Sequence, residues 1–145
     1  MSTVWYQQTL QLQSKRRGFH LITNEIESRL EHLSEINTGL AHLHILHTSA
    51  SLTINENADP TVREDMENFF TRTVPEDTSL YKHTYEGTDD MTSHIKASIL
   101  GSSVTVPVSK GRFLLGTWQG IYLCEHRNYS HRRSIVVTLH GTRQA

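Results

Sequence analysis

The stretch Gly116-Thr117-Trp118-Gln119-Gly120-Ile121 separates two parts of the chain that alternate apolar and polar residues as β-strands do. Residues 103–115 precede it, and residues 121–125 form the strand-like part that it leads into. Two glycines around a Trp-Gln pair predict a β-hairpin whose tip carries a large aromatic ring and an amide. Such a tip either packs as a structural turn or meets a ligand, and the residues alone favour the packed turn.

The same alternation predicts strands along the rest of the chain, at residues 4–12, 40–47, 51–55, 104–108, 112–115, 121–125 and 134–140. The triplet Asn37-Thr38-Gly39 predicts a turn. Most connections between the strands are too short for parallel crossovers. The sequence therefore predicts a single α+β domain over residues 1–145, with mainly antiparallel sheets in a sandwich or barrel and helices on the outside.

Three segments predict those helices. The first begins at Thr23, with apolar residues at helical spacing at Ile22, Ile26, Leu30 and Leu33. The second begins at Asp59 as N-cap with Pro60 in the first helical position, and its expected buried stripe is Val62, Met66, Phe69 and Phe70. The third covers residues 90–100 before Gly101, with an expected inward face of Met91, Ile95 and Ile99.

Composition narrows the range of partners and compartments. The net charge of −1 lacks the basic excess of a surface that tracks nucleic-acid phosphates. No apolar segment approaches the ~18 residues of a membrane span, and the first residues do not resemble a signal peptide. The single cysteine, Cys124, excludes an intramolecular disulfide and fits a reducing compartment as a packed, inert thiol. We therefore expect a cytoplasmic protein that binds neither nucleic acid nor a membrane.

Three sequence blocks resemble the YjbQ family. One is the spacing of valines, glycines and Trp-Gln within residues 103–121; the others are residues 47–57 and residues 85–96. The likeness runs over residues 5–141, which is nearly the whole chain. Members of this family are often labelled secondary thiamine-phosphate synthases. The resemblance implies a homotrimer and an enzyme that acts on a phosphorylated small molecule, with thiamine-phosphate synthesis as an activity that a small pocket would perform weakly.

The ten histidines of the chain are candidates for metal binding and acid–base chemistry. In the strand at residues 40–47, the odd positions are apolar up to Ile45, so His47 ends the row that faces the core. His94 lies at the edge of the apolar stripe of the third helix, four residues after Asp90, which could orient its ring. Nothing in its local sequence distinguishes His83.

The family resemblance implies that His47, His83 and His94 form one metal-compatible cluster. Three imidazoles with an open position are typical of catalytic zinc, and magnesium is the alternative for diphosphate chemistry. Glu56, Glu86 and Asp90 could then act as the base or support the ligands. A rival site is the pair His42 and His44, which share one face of a strand, although that face could equally be solvent or a subunit contact.

Other residues are candidates for holding the substrate. They come from the family blocks, from the chain after His47 and from the arginines that follow the last internal strand: Thr48, Asn55, Trp118, Gln119, Glu125, Arg127 and Arg133. Arginine binds phosphate or carboxylate with two parallel hydrogen bonds, although arginines in loops are more often solvated.

Three functions remain open from the sequence. The first is a metal-dependent enzyme acting on a phosphorylated small molecule, and the second is a hydrolase of the zinc type with Glu56 or Glu86 as base. The third is a protein that binds a metal or small ligand without catalysis. The homotrimer implied by the resemblance would place Trp118 and the face with His42 and His44 nearest to a subunit boundary.

Overall fold

Two antiparallel sheets form the body of the protein in the computed structural model, which describes residues 2–129 and 131–145. Within those residues one sheet has five strands in the order β1-β8-β3-β5-β6, and the other has three in the order β2-β7-β4. The strands are β1 Thr3–Gln11, β2 Gly18–Leu21, β3 Ile36–Ile45, β4 Ala50–Glu56, β5 Ser103–Ser109, β6 Arg112–Phe113, β7 Gln119–Glu125 and β8 Ser134–Arg143. The predicted α+β sandwich with antiparallel pairing is confirmed.

The helices are α1 Thr23–Arg29, α2 Pro60–Thr73 and α3 Asp90–Leu100, with short 3-10 turns at Leu33–Glu35 and Thr78–Leu80. The Asp59 side chain accepts a hydrogen bond from the Thr61 N–H, as expected of an N-cap. Gly101 ends α3 with a φ of 103°, a conformation that glycine adopts without strain. In the described residues, no helix has the length and apolar character needed to cross a membrane.

The molecule has three layers because the small sheet is covered on both faces. The inner face of the five-stranded sheet packs with α1 against one face of β4 and β7, in a single apolar cluster. The other face of the small sheet carries Phe19, Tyr122 and Cys124, which pack with Phe70 of α2. Since β7 lies between β2 and β4, it is buried on both faces, which explains its continuous apolar run.

The predicted hairpin at residues 116–121 is wrong. β6 pairs with β5 in the five-stranded sheet, whereas β7 belongs to the three-stranded sheet, so the segment Gly116–Gln119 links the two sheets. The reason is burial: β7 is apolar on both faces and needs a central position, which pairing with a two-residue edge strand could not provide. We call this segment, residues 116–119, the Trp118 turn.

The predicted turn at residues 37–39 is also wrong, because these residues lie inside β3. Gly39 stands opposite Gly141 of β8, and a Cβ on Gly39 would lie only 2.2 Å from the carbonyl oxygen of His140. A register shift between Ile36 and Thr38 accompanies this close approach. Gly39 therefore allows β3 and β8 to lie close together, and it does not form a turn.

The predicted inward faces of two helices need correction. In α3 the buried side chains are polar, namely Asp90, Thr92, Ser93 and Lys96, whereas Ile99 is 59% exposed. In α2 only Phe70 is fully buried, and Phe69 is 51% exposed. Apolar spacing located both helices but did not show which face of each is buried. In α3 the reason is that the helix is held through Asp90, which contacts Arg127 and His94, instead of through an apolar stripe.

Candidate metal centre

His83, Asp90 and His94 bring three potential ligand atoms within 4.8 Å of one another. Asp90 and His94 stand one turn apart on α3, and His83 lies in the exposed loop before that helix. The Oδ2 atom of Asp90 is 2.7 Å from Nε2 of His83 and 3.1 Å from Nε2 of His94. Because zinc bonds to nitrogen and oxygen are about 2.0–2.2 Å long, these atoms could close around one ion with small movements.

The tautomer of His94 follows from its second hydrogen bond. Its Nδ1 atom is 2.8 Å from the carbonyl oxygen of Thr48, so Nδ1 must carry the proton and donate it. In the neutral ring, Nε2 then presents a lone pair to the carboxylate oxygen of Asp90 at 3.1 Å. Two electron-rich atoms at that distance repel each other unless a proton or a metal ion lies next to both.

Asp90 is held in place by Arg127. The Asp90 side chain is almost fully buried, and its Oδ1 accepts a 2.6 Å hydrogen bond from Nη1 of Arg127. The same guanidinium donates to Asp89 at 3.0 Å and to the carbonyl oxygen of Glu86 at 3.0 Å. Burial alone would raise the pKa of Asp89, but hydrogen bonds from the Asn128 N–H and from Arg127 lower that pKa. Arg127 thus faces two charged carboxylates.

An open cavity of about 530 Å³ lies beside His94. Its walls combine small apolar residues, hydroxyl groups and two imidazoles, and the lining residues are His47, Thr48, Ala50, His94, Ala97, Ser98, Gly101 and Ser102. A volume of this size is within the range of small-molecule sites.

His47 lies in the wall of this cavity instead of in the group formed by His83, Asp90 and His94. Its Nε2 accepts a 2.9 Å hydrogen bond from the Ser134 N–H, so that nitrogen is already engaged. Burial and the charge of Arg133 lower the pKa of His47, which keeps its ring neutral. The third-ligand role implied by the resemblance stays a prediction for His47, and Asp90 takes that position in the geometry.

Arg133 and Glu125 form a buried ion pair. Nε of Arg133 donates to Oε1 of Glu125 at 2.8 Å and Nη2 donates to Oε2 at 2.5 Å, with both side chains almost fully buried. Nη2 also donates to the carbonyl oxygen of Ser49 at 3.2 Å. The Arg127 guanidinium is likewise bonded to Asp89 and Asp90. The two arginines that were predicted to bind substrate therefore both have their guanidinium groups engaged by carboxylates.

Four other predicted site residues lie at the opposite end of the small sheet. Ala50 pairs with Glu125 at the cavity end, and Glu56 pairs with Gln119 at the far end. Six residues of extended strand span about 20 Å. Asn55, Glu56, Trp118 and Gln119 are therefore too distant to touch the His83 cluster of the same chain. Glu56 instead accepts hydrogen bonds from the N–H groups of Ala58 and Asp59.

Three further candidate residues, Glu86, His42 and His44, are exposed. Glu86 is next to the cluster, with its carbonyl oxygen bound to Arg127 and its side chain exposed. His42 and His44 are exposed on the outer face of the five-stranded sheet, where Nδ1 of His42 is 3.1 Å from Oγ1 of Thr105.

Sequence reasoning missed a buried polar chain under α3. The hydroxyl of Ser51 is 2.8 Å from Nε2 of His126, and both residues are almost fully buried. Burial, together with the nearby charges of Lys96 and Arg17, lowers the pKa of His126 to about 3. The signal was the alternation of Tyr122 and Cys124 on one face of β7, which His126 continues directly after the strand.

The family model described as UPF0047 protein YjbQ-like matches residues 8–142. The UPF0047 protein YjbQ of Escherichia coli O157:H7 is 59% identical over 95% of this chain and 99% of its own length. The UPF0047 protein YugU of Bacillus subtilis is 42% identical over 81% of this chain and 86% of its own length.

Solved structures show the same fold. A conserved hypothetical protein from Thermus thermophilus superposes with a TM-score of 0.76, is 31% identical, and covers 88% of this chain and 96% of its own. A YbjQ-like protein of unknown function from Sulfolobus solfataricus P2 gives a TM-score of 0.82 at 24% identity, over 97% and 99% of the two chains.

Proposed function

Because this chain belongs to the UPF0047 YjbQ-like family and gathers two imidazoles with a carboxylate, we propose that it is a divalent-metal-dependent enzyme acting on a phosphorylated small molecule. The ligands are His83, Asp90 and His94. Two imidazole nitrogens favour zinc over magnesium, which prefers oxygen ligands and water. The unpaired, buried Cys124 supports a cytoplasmic location.

The observation that carries the proposal is the arrangement around His94. Its Nδ1–H is committed to the carbonyl oxygen of Thr48, and its Nε2 faces the buried carboxylate of Asp90. Imidazole ligands in metalloproteins are commonly oriented by such a bond from the other ring nitrogen to a backbone carbonyl. The ring is therefore turned for metal binding before any ion arrives.

Each side chain of the centre has a definable task. Arg127 fixes the carboxylate of Asp90 and leaves its Oδ2 for the ligand position. Thr48 fixes the ring of His94. The neutral His47, on the cavity wall, can donate a hydrogen bond from Nδ1 to a substrate oxygen. A zinc ion bound by His83, Asp90 and His94 would polarise a phosphoryl oxygen or lower the pKa of a water molecule.

A phosphorylated substrate follows from the charge balance. Asp90 is already paired with Arg127, and the imidazoles are neutral as ligands, so a divalent ion would leave the centre positively charged. The hydroxyl of Ser102 lines the adjacent cavity and can donate a hydrogen bond to a phosphate oxygen, whereas the Ser98 hydroxyl donates to the carbonyl oxygen of His94.

Thiamine-phosphate synthesis is the first candidate for the specific reaction. Hydrolysis of a phosphoester is the second candidate, with Glu86 as base because its exposed side chain is next to the cluster. We do not propose Glu56 as the base of the same chain's centre, because Glu56 lies at the far end of the sheet.

Replacing His83 by Ala tests the centre with little risk to the fold, because the side chain is 44% exposed. We expect His83→Ala to weaken zinc binding by about 100-fold or more and to abolish turnover, since a ligand is lost. The metal-free variant should unfold within about 0.5 kcal/mol of the parent, as is usual for surface substitutions. Zinc titration and denaturant unfolding measure the two effects.

The matched control is His42→Ala, which removes another exposed imidazole far from the cluster and should leave zinc binding and turnover unchanged. Turnover is measured both as thiamine-phosphate formation and as phosphate release from a panel of phosphoesters, which separates the two candidate reactions. Equal zinc affinity in His83→Ala and the parent would rule out this metal centre.

A further inference from the structure

The residues expected to serve one site are divided between the two ends of the small sheet. His83, His94 and the cavity lie at one end, whereas Trp118 and Gln119 lie about 20 Å away along β7. A single chain cannot bring these groups together. If they act in one site, the Trp118 turn must come from another molecule.

The Trp118 turn is held rigidly although its indole is not covered. Nδ2 of Asn57 donates to the carbonyl oxygens of Thr117 and Gln119, and the Asn57 N–H donates to that of Trp118. The Gln119 side chain accepts from the Gly116 N–H at 2.8 Å. Trp118 nevertheless remains 65% exposed. A preorganised turn with a projecting tryptophan is typical of an interface anchor, because little entropy is lost when it is buried.

The cavity end offers a matching surface on α3. Its buried face is polar, so its apolar side chains point outward, with Met91 and Ile95 half-buried and Ile99 largely exposed. These residues follow one another at helical spacing, one position from His94 and Ser98 in the cavity wall. An apolar stripe on the solvent side of a helix beside an open cavity is typical of a surface covered by a partner.

The charges of the two ends are complementary. Glu56 and Asp59, next to the Trp118 turn, are carboxylates at the start of α2. The cavity end carries Lys82 and Arg127 with its two aspartates, and the proposed divalent ion would make that end positive. Opposite charge at the two ends of one chain favours head-to-tail contact over contact between like ends.

We propose that the Trp118 turn of a second copy of this chain packs against the outward stripe of α3 at the mouth of the cavity, so that a neighbouring subunit completes each metal centre. The contact joins different surfaces of the two copies, and such head-to-tail contacts close into rings. The inference rests on the proposed metal centre, since it assigns the partner of that site.

Quenching of Trp118 fluorescence by cobalt tests the contact. In a Trp5→Phe variant, Trp118 is the only tryptophan. Cobalt replaces zinc at sites with nitrogen and oxygen ligands, its visible absorption reports occupancy, and it quenches tryptophan only at short range. We expect the Trp118 emission to fall in proportion to cobalt absorption, and a Trp5→Phe, His83→Ala variant to show neither effect.

The outcomes separate the two claims. Cobalt absorption without quenching would leave the metal centre standing and overturn the intersubunit contact. Absence of cobalt absorption in the Trp5→Phe protein would overturn the metal centre itself.

A second measurement does not depend on metal. Ser98→Cys, in the cavity wall, and Thr117→Cys, in the Trp118 turn, are combined in one chain and treated with a short bis-maleimide reagent. The native Cys124 does not react, because burial raises its pKa to about 12. Covalent dimers and larger species are expected from the double variant only. A crosslinking pattern equal to that of the single variants would overturn the contact.

Discussion

The residues that define the centre are oriented by partners that lie far away in the sequence. His94 takes its tautomer from the Thr48 carbonyl, 46 residues away, and Asp90 takes its position from Arg127, 37 residues away. Alternation in the strand at residues 40–47 correctly placed Ala41, Leu43 and Ile45 in the core. Spacing along the third helix suggested that Asp90 orients the ring of His94 or acts as a base, but it could not show the bonds from Thr48 and Arg127, so it treated Arg127 as a substrate ligand.

We expect His126 to contribute to the loss of stability in acid. Burial, followed by the charges of Lys96, Arg17 and Arg133, lowers the pKa of this imidazole to about 3 from an ordinary value of 6.5. As the pH falls below 6.5, His126 binds a proton in the unfolded chain, whereas in the folded protein it does not bind one until about pH 3. Stability should therefore decrease between these values, by at most about 1.4 kcal/mol per pH unit from this residue.

Replacing His126 by Gln removes that titration while the amide can still bond Ser51. We expect the free energy of unfolding of His126→Gln to fall less steeply than that of the parent from pH 6.5 towards pH 4.5, by about 1 kcal/mol per pH unit. Urea unfolding at several pH values measures both slopes. Parallel profiles for the two proteins would mean that His126 is not buried in its neutral form.

The sequence predicted the positions of helices and strands more reliably than it predicted their buried faces and pairing partners. The predicted strands and helices all exist, and α3 has the predicted bounds. Periodicity failed where an element is stabilised by something other than an apolar stripe: α3 buries Asp90, Thr92 and Lys96, and Lys96 Nζ and Thr92 Oγ1 have no hydrogen-bond partner within the described residues. It also failed for β7, because pairing partners 60 or more residues away cannot be deduced from local alternation.

The pairing of β3 with β8 depends on two glycines that face each other. A Cβ on Gly141 would lie 2.3 Å from the Thr38 carbonyl oxygen and 2.7 Å from Cα of Gly39, both backbone atoms that cannot move aside. Gly141→Ala should therefore destabilise the protein by about 1–3 kcal/mol. Gly116→Ala is the matched control, since its Cβ would meet only the flexible Gln119 side chain at 3.4 Å. Equal denaturation midpoints for the two variants would contradict this account of the strand contact.

At the scale of the whole molecule, several large apolar side chains are exposed. Trp118, Ile99 and Leu114 are each more than half exposed, as is Trp5 on the edge strand β1. Contiguous apolar patches and unpaired strand edges are the surfaces that partners normally cover. We propose a homotrimer, as the family resemblance implies, and expect light scattering to give three times the chain mass of 16.6 kDa. A mass of 16.6 kDa at micromolar concentration would contradict it.

Crystals grown with zinc and measured at its absorption edge would test the central claim most directly. We predict one anomalous peak per chain, about 2 Å from Nε2 of His83, Oδ2 of Asp90 and Nε2 of His94, with an open position towards the cavity. A peak at His42 and His44 instead, or zinc-soaked crystals in which Asp90 remains hydrogen-bonded to both imidazoles with no ion between them, would contradict the assignment of this centre.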